Sequence, residues 1–143
     1  MSTPVKTDLA RAWLAQADTD PEHAYTWWDS NLDGFAILPA GRLFDAIEIS
    51  TATAARVLGA AGTDGPAIRD DTSGRVHVLV PPGTAETWDQ ELARCLGVLH
   101  YLRIPAVTRR TQPGPYWLTP PDGSGHLNDP TALSLALIAA ATR

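Results

Sequence analysis

Six residues, Arg75-Val76-His77-Val78-Leu79-Val80, read as a strand: valine recurs at every second position, and Pro81-Pro82-Gly83 stops whatever precedes it. Side chains of a strand alternate between faces, so Val76, Val78 and Val80 form one apolar row while Arg75, His77 and Leu79 form the other. The valine row belongs against a core. The row that carries a cation and an imidazole is either the floor of an anion-binding site or the solvated side of a sheet.

The preceding segment, Pro66 to Arg69, is placed to pair with this strand through a turn at Asp70 to Gly74, where Asp70 and Asp71 support their own backbone. The remaining pattern supplies helices and further short strands. Helices are expected over Val5–Ala17, with Leu9 and Trp13 on one face, and from Asp20-Pro21 through Trp28. Adjacent Trp27 and Trp28 lie about 100° apart on such a helix, so one indole reaches the core and the other its edge. Asn31 to Gly34 reads as a turn. Phe35–Leu38 and Leu43–Ile49 read as strands joined tightly at Pro39-Ala40-Gly41-Arg42. Ser50 and Thr51 cap a helix over Ala52–Ala61. Thr84 caps another over Ala85–Leu99, with Trp88, Leu92 and Leu96 stacked and Cys95 a small apolar residue within it. Extended segments at Tyr101–Thr108 and Pro115–Leu118 precede a last helix that starts at Asp129-Pro130. Helices interspersed with hairpin-like strand pairs predict an α+β fold, a small mixed or antiparallel sheet flanked by helices, in one domain over residues 1–143.

Charge and motif content narrow the function. A net charge of −5 argues against a protein whose main task is gripping duplex DNA. The deficit is uneven: residues 66–115 hold six arginines against five acids, which leaves room for a local phosphate site. One cysteine excludes an internal disulfide and every cysteine-based zinc pattern, and the four histidines have no metal-ligand spacing. Neither a GxSxG elbow nor a GxxxxGK[ST] loop is present. No apolar run approaches the roughly 20 residues of a membrane span, and no secretion signal is recognisable, so a cytoplasmic protein with no membrane partner is expected.

The acids of Leu43–Ser50 matter most. In a regular strand Phe44, Ala46, Glu48 and Ser50 share one face, and Asp45, Ile47 and Ile49 the other, so Asp45 and Glu48 hold a metal jointly only if a bulge intervenes. Four stretches carry a likeness: the helix ending in Trp27-Trp28, "FAILPAGRLFDAIEIS" read as a hairpin, "TSGRVHVLVPPGT", and the closing "GPYWLTPPDG". From Asp20 onward, over roughly 120 residues, the sequence resembles the bifunctional DNA primase/polymerase domain, a branch of the archaeo-eukaryotic primase superfamily. In that superfamily a strand carries two metal-binding carboxylates with one residue between them. A later Ser-Gly-led strand presents a histidine to nucleotide phosphates, and a third acid completes the metal site. The resemblance implies that Glu48 matches the first acid and that Ser73-Gly74 and His77 match the histidine strand.

This chain departs from that pattern at Ser50, which stands where the second carboxylate belongs, and at Tyr116-Trp117, which offers no third acid. The expectation is therefore a primase/polymerase-like domain without catalysis, with a nucleotide- or nucleic-acid-binding or accessory role in DNA replication beside a replication-protein partner. Its expected catalytic-position residues are Glu48 and His77, and its phosphate contacts are Ser73, Gly74, Arg75, His77, Arg109 and Arg110. No cofactor is expected; a surviving metal would be Mg²⁺ or Mn²⁺ on Glu48, with Asp45 recruited through a bulge. Two alternatives stand beside it: an active nucleotidyltransferase with that reduced metal site, and a protein-interaction module using the Trp-rich helix face.

Overall fold

The computed structural model describes residues 5–30 and 34–142, and the expected turn at 31–34 lies largely outside them. Among the described residues the chain forms α1 (Lys6–Ala15), α2 (Pro21–Ser30), β1 (Phe35–Pro39), β2 (Asp45–Ser50), α3 (Thr51–Val57), β3 (Ala67–Asp70), β4 (Arg75–Val80), α4 (Thr84–Thr87), β5 (Arg94–Leu96), β6 (Tyr101–Pro105), β7 (Pro115–Thr119) and α5 (Pro130–Ala141). Five strands make one sheet in the order β5-β2-β4-β3-β7, and β1 and β6 make a separate ribbon. Every pairing is antiparallel, as the α+β expectation allowed.

The two faces of the large sheet are buried against different partners. On the back, Ile47, Ile49, Val76, Val78 and Val80 pack against Ala54 and Val57 of α3 and Leu133, Leu137 and Ala140 of α5. On the front, Phe44, Ala46, Ile68, Leu79, Leu96 and Trp117 meet α1, α2 and the inner side of the β1–β6 ribbon. The valine row is thus fully enclosed. Caps fix the helices locally: the Ser50 hydroxyl accepts the Thr53 amide at 3.1 Å, and Asp129 accepts the Thr131 amide at 3.0 Å. The β3–β4 hairpin forms as the sequence indicates, with Ile68 opposite His77 and Asp70 opposite Arg75.

Four expectations are corrected. The strands β1 and β2 do not form a hairpin: β1 pairs with β6, with Ile37 opposite Arg103, and β2 lies between β4 and β5. The helix expected over Ala85–Leu99 stops after Thr87. The Trp88 indole turns back to donate to the Ala93 carbonyl at 3.0 Å, and Arg94–Leu96 becomes the strand that satisfies the free edge of β2. An open strand edge outweighs local helix propensity here. Cys95 accordingly lies half-buried on a strand, opposite Ile47. The helix expected over Ala52–Ala61 ends at Val57. Finally, α1 buries Ala10, Leu14 and Ala15 and leaves Leu9 about half exposed, so its core stripe is rotated from the one expected. Trp28 is buried and donates to the Ile104 carbonyl at 3.0 Å, while Trp27 lies at the edge with 38% exposed, as the 100° offset requires.

Candidate functional site

The front of the sheet changes character from one rung to the next. Where Leu96, Ala46 and Leu79 lie side by side, every side chain is buried. One step along the strands, Arg94, Glu48, His77, Ile68 and Trp117 align across all five strands. The next rung holds Ser50, Arg75, Asp70 and Pro115. Neighbouring strands lie about 4.8 Å apart, so the polar members of these two rungs form a compact corner that is partly open at Arg94, Glu48, His77 and Arg75, while Ile68 and Trp117 stay buried under the ribbon.

Within it Glu48 is held from both sides. His77 Nε2 and Glu48 Oε2 are 3.1 Å apart, with the two side chains only 16% and 22% exposed, and Arg94 Nη2 lies 3.6 Å from Oε1. The glutamate and the imidazole therefore do face one another on adjacent strands. Arg75 projects on the same face beside them and has no ion-pair partner among the described residues. Asp70 is nearly enclosed; one of its oxygens accepts the Thr72 amide at 3.0 Å and the other pairs with Arg103, which reaches across from β6. The Arg103 guanidinium also sits 5.5 Å from the Phe35 ring centre, joining the outer face of the ribbon to the corner. Four potentially cationic side chains thus surround two carboxylates.

The other sequence candidates are arranged differently. The β2–β4 register runs unbroken from Asp45 to Ser50, so no bulge turns Asp45 toward Glu48. Asp45 lies on the back face, 1% exposed, and its Oδ2 accepts the Ala85 amide at 2.8 Å. The recruitment of Asp45 beside Glu48 is therefore corrected: alternation along a regular strand separates them. The Ser50 hydroxyl is engaged at the start of α3. The Ser73 hydroxyl and the Gly74 amide both donate to the Asp70 carbonyl, at 3.3 and 2.9 Å, so these two donors close the turn.

Arg109 and Arg110 stand apart from the corner, beside the outer edge of β7, two strands beyond β4. The Arg109 side chain donates to the Pro113 carbonyl, and its own carbonyl accepts the Trp117 amide at 2.9 Å. Arg110 donates to the Trp117 and Leu118 carbonyls at 3.2 and 3.4 Å. Both arginines thereby satisfy edge groups of the sheet. Arg94 and Arg103 are the corner residues that sequence reasoning missed. A strand reading of Arg94-Cys95-Leu96 would have set Arg94 on the Glu48 face, and the inward alternation of Leu102 and Ile104 already turned Arg103 outward.

Among the described residues no group of three or more His, Cys, Asp or Glu is placed to hold a metal ion, and no helix is long and apolar enough to cross a membrane. No family model, curated protein or solved structure matches this chain.

Proposed function

We propose that this chain is a primase/polymerase-like domain without catalysis, and that its polar corner binds the phosphates of a nucleotide or of single-stranded nucleic acid, in an accessory role in DNA replication. The observation that carries the reading is the double engagement of Glu48 by His77 and Arg94. A two-metal phosphoryl-transfer site needs several carboxylate oxygens free to ligate hard cations. Here the acid at the matching position already faces a cationic or imidazole nitrogen on each oxygen, Ser50 is spent on a helix cap, and Asp45 faces the other side. The residues present do not fit a pair of Mg²⁺ or Mn²⁺ ions. Arg75, His77, Arg94 and Arg103 together suit an anion, and charge-assisted bonds from arginine are the strong ones for phosphate.

The alternative of a protein-interaction module needs a surface other than the Trp-rich helix face. With Trp28 buried, α2 does not offer a Trp-rich face. The outer side of the ribbon instead exposes Ile37 and Tyr101, and the turn that leads into β6 exposes Leu99, held at φ +79° and 89% exposed. A leucine in a left-handed conformation, turned to water, is an unusual expense for a fold to keep.

The sign of one charge variant separates binding from catalysis. A deoxynucleoside triphosphate titrated with and without Mn²⁺, followed by tryptophan fluorescence, should bind independently of metal. Glu48→Gln should tighten binding by about two- to fivefold because it removes a competing negative charge. Arg75→Gln, which breaks no ion pair in the free protein, should weaken it by about tenfold. Metal-dependent binding that Glu48→Gln abolishes would instead support the nucleotidyltransferase reading. No binding up to millimolar triphosphate would remove the nucleotide altogether.

A further inference from the structure

We propose a second, separate anion site, a pocket for a small organic phosphate monoester between the first turn of α1 and the segments on either side of β7. It goes beyond the polar corner and does not depend on it. A surface cavity of about 540 Å³ opens there, walled by Lys6 and Thr7 of α1, Thr108 and Arg110 before β7, Thr119 at its end, and Pro120 to Asp122 after it. That volume exceeds what a bare phosphate needs and falls in the range of small-ligand pockets.

Its two cations make no close ion pair among the described residues. Arg110 is fixed by two neutral acceptors, the carbonyls of Trp117 and Leu118, so its guanidinium is held in place while its charge stays free. Among the described residues no carboxylate pairs with Arg110 or Lys6 within ion-pair distance. Arg11 in the adjoining cavity shows the contrast: it is paired with Asp29 at 2.9 Å and stacked 4.8 Å from the Tyr25 ring centre. The hydroxyls of Thr7, Thr108 and Thr119 make no hydrogen bond among the described residues and supply donors for phosphoryl oxygens. Val107, Pro120 and Pro121 form an apolar wall for the organic part.

The pocket holds one opposing charge. Asp122 is bonded by the Ser124 hydroxyl at 2.5 Å and the Ser124 amide at 2.9 Å, and these bonds, helped by Lys6, hold its carboxyl below the ordinary carboxylate range.

Phenyl phosphate and inorganic phosphate, titrated into ¹⁵N-labelled full-length protein, test this residue by residue. Phenyl phosphate should shift the amides of Thr7, Thr108, Arg110 and Thr119 with saturation, and inorganic phosphate should shift the same set about tenfold more weakly because it leaves the apolar wall uncovered. Lys6→Gln, at an exposed position, and Arg110→Gln should each weaken phenyl phosphate about fivefold or more, and Arg110→Lys should restore part of the loss. Shifts that do not saturate, or that persist unchanged in Lys6→Gln and Arg110→Gln, would overturn the pocket. Shifts confined to Arg75, His77 and Arg94 would also overturn it and leave the polar corner standing. Saturating shifts confined to the pocket would support it and leave the polar corner to its own triphosphate titration.

Discussion

Two carboxylates three residues apart on β2 live in opposite worlds. Asp45 lies on the back face, sealed under α4 and bonded through one oxygen to a backbone amide, while its Oδ1 is buried without a partner. Glu48 lies at the open front corner, where each oxygen meets a cationic or imidazole nitrogen from a neighbouring strand. The backbone treats the two alike; alternation alone assigns their fates. The lesson is that acids close in sequence make a metal site only when their separation is even along a strand, and that an unbroken register is enough to decide it.

The sharpest way to break the contrast is to damage the back core itself. Ile47 is fully buried between Asp45 and Glu48, and Ile47→Ala should cost about 2–5 kcal/mol in urea unfolding monitored by circular dichroism. A loss under about 1 kcal/mol would mean the back layer is not the tight core the valine row implies. Asp45→Ala comes next. It leaves the Ala85 amide without its acceptor and should cost about 1–3 kcal/mol, most of which Asp45→Asn should recover through its side-chain carbonyl.

Much of this was legible in the sequence, and for identifiable reasons. The β4 strand, its turn and hairpin partner, the caps at Ser50 and Asp129, and the split roles of Trp27 and Trp28 rest on local signals: alternation, prolines and capping hydroxyls. The facing of Glu48 and His77 could be anticipated from parity once β2 and β4 were placed side by side. What could not be read is long-range. Nothing local says that β1 pairs with β6 across more than sixty residues, or that Arg94 abandons a helix to close the edge of β2. Asn128 shows the same limit: it is 1% exposed and bonds to Gly65, Pro66 and Leu79, yet its neighbourhood in sequence is an ordinary polar loop. The likeness to primase/polymerase domains rested partly on a hairpin that the structure does not form.

At the front corner the stability effect should be far smaller. Glu48→Gln loosens two partly exposed pairs and should change unfolding free energy by less than about 1 kcal/mol. If it instead costs as much as Asp45→Ala, the corner is a structural network and its anion-binding role loses its basis.

The smallest effect on stability at neutral pH, and the most direct probe of the sealed side, comes from Cys95. Burial first, and then the negative charge of Asp45, push its thiol up from the usual 9.0 to about 12. Both causes disfavour the thiolate in the folded chain. The neutral thiol's contribution to stability is therefore fully present below pH 9.0 and is lost as pH rises toward about 12. Because the thiolate is the nucleophile, alkylation by iodoacetamide at mildly alkaline pH should be at least about tenfold slower in the folded protein than in urea. Asp45→Asn removes the second cause while keeping the fold, so it should raise the native alkylation rate, whereas Glu48→Gln, on the other face, should leave it unchanged. Equal acceleration by both variants would show that the two faces of β2 are not electrically separate, and the contrast between its two acids would fail.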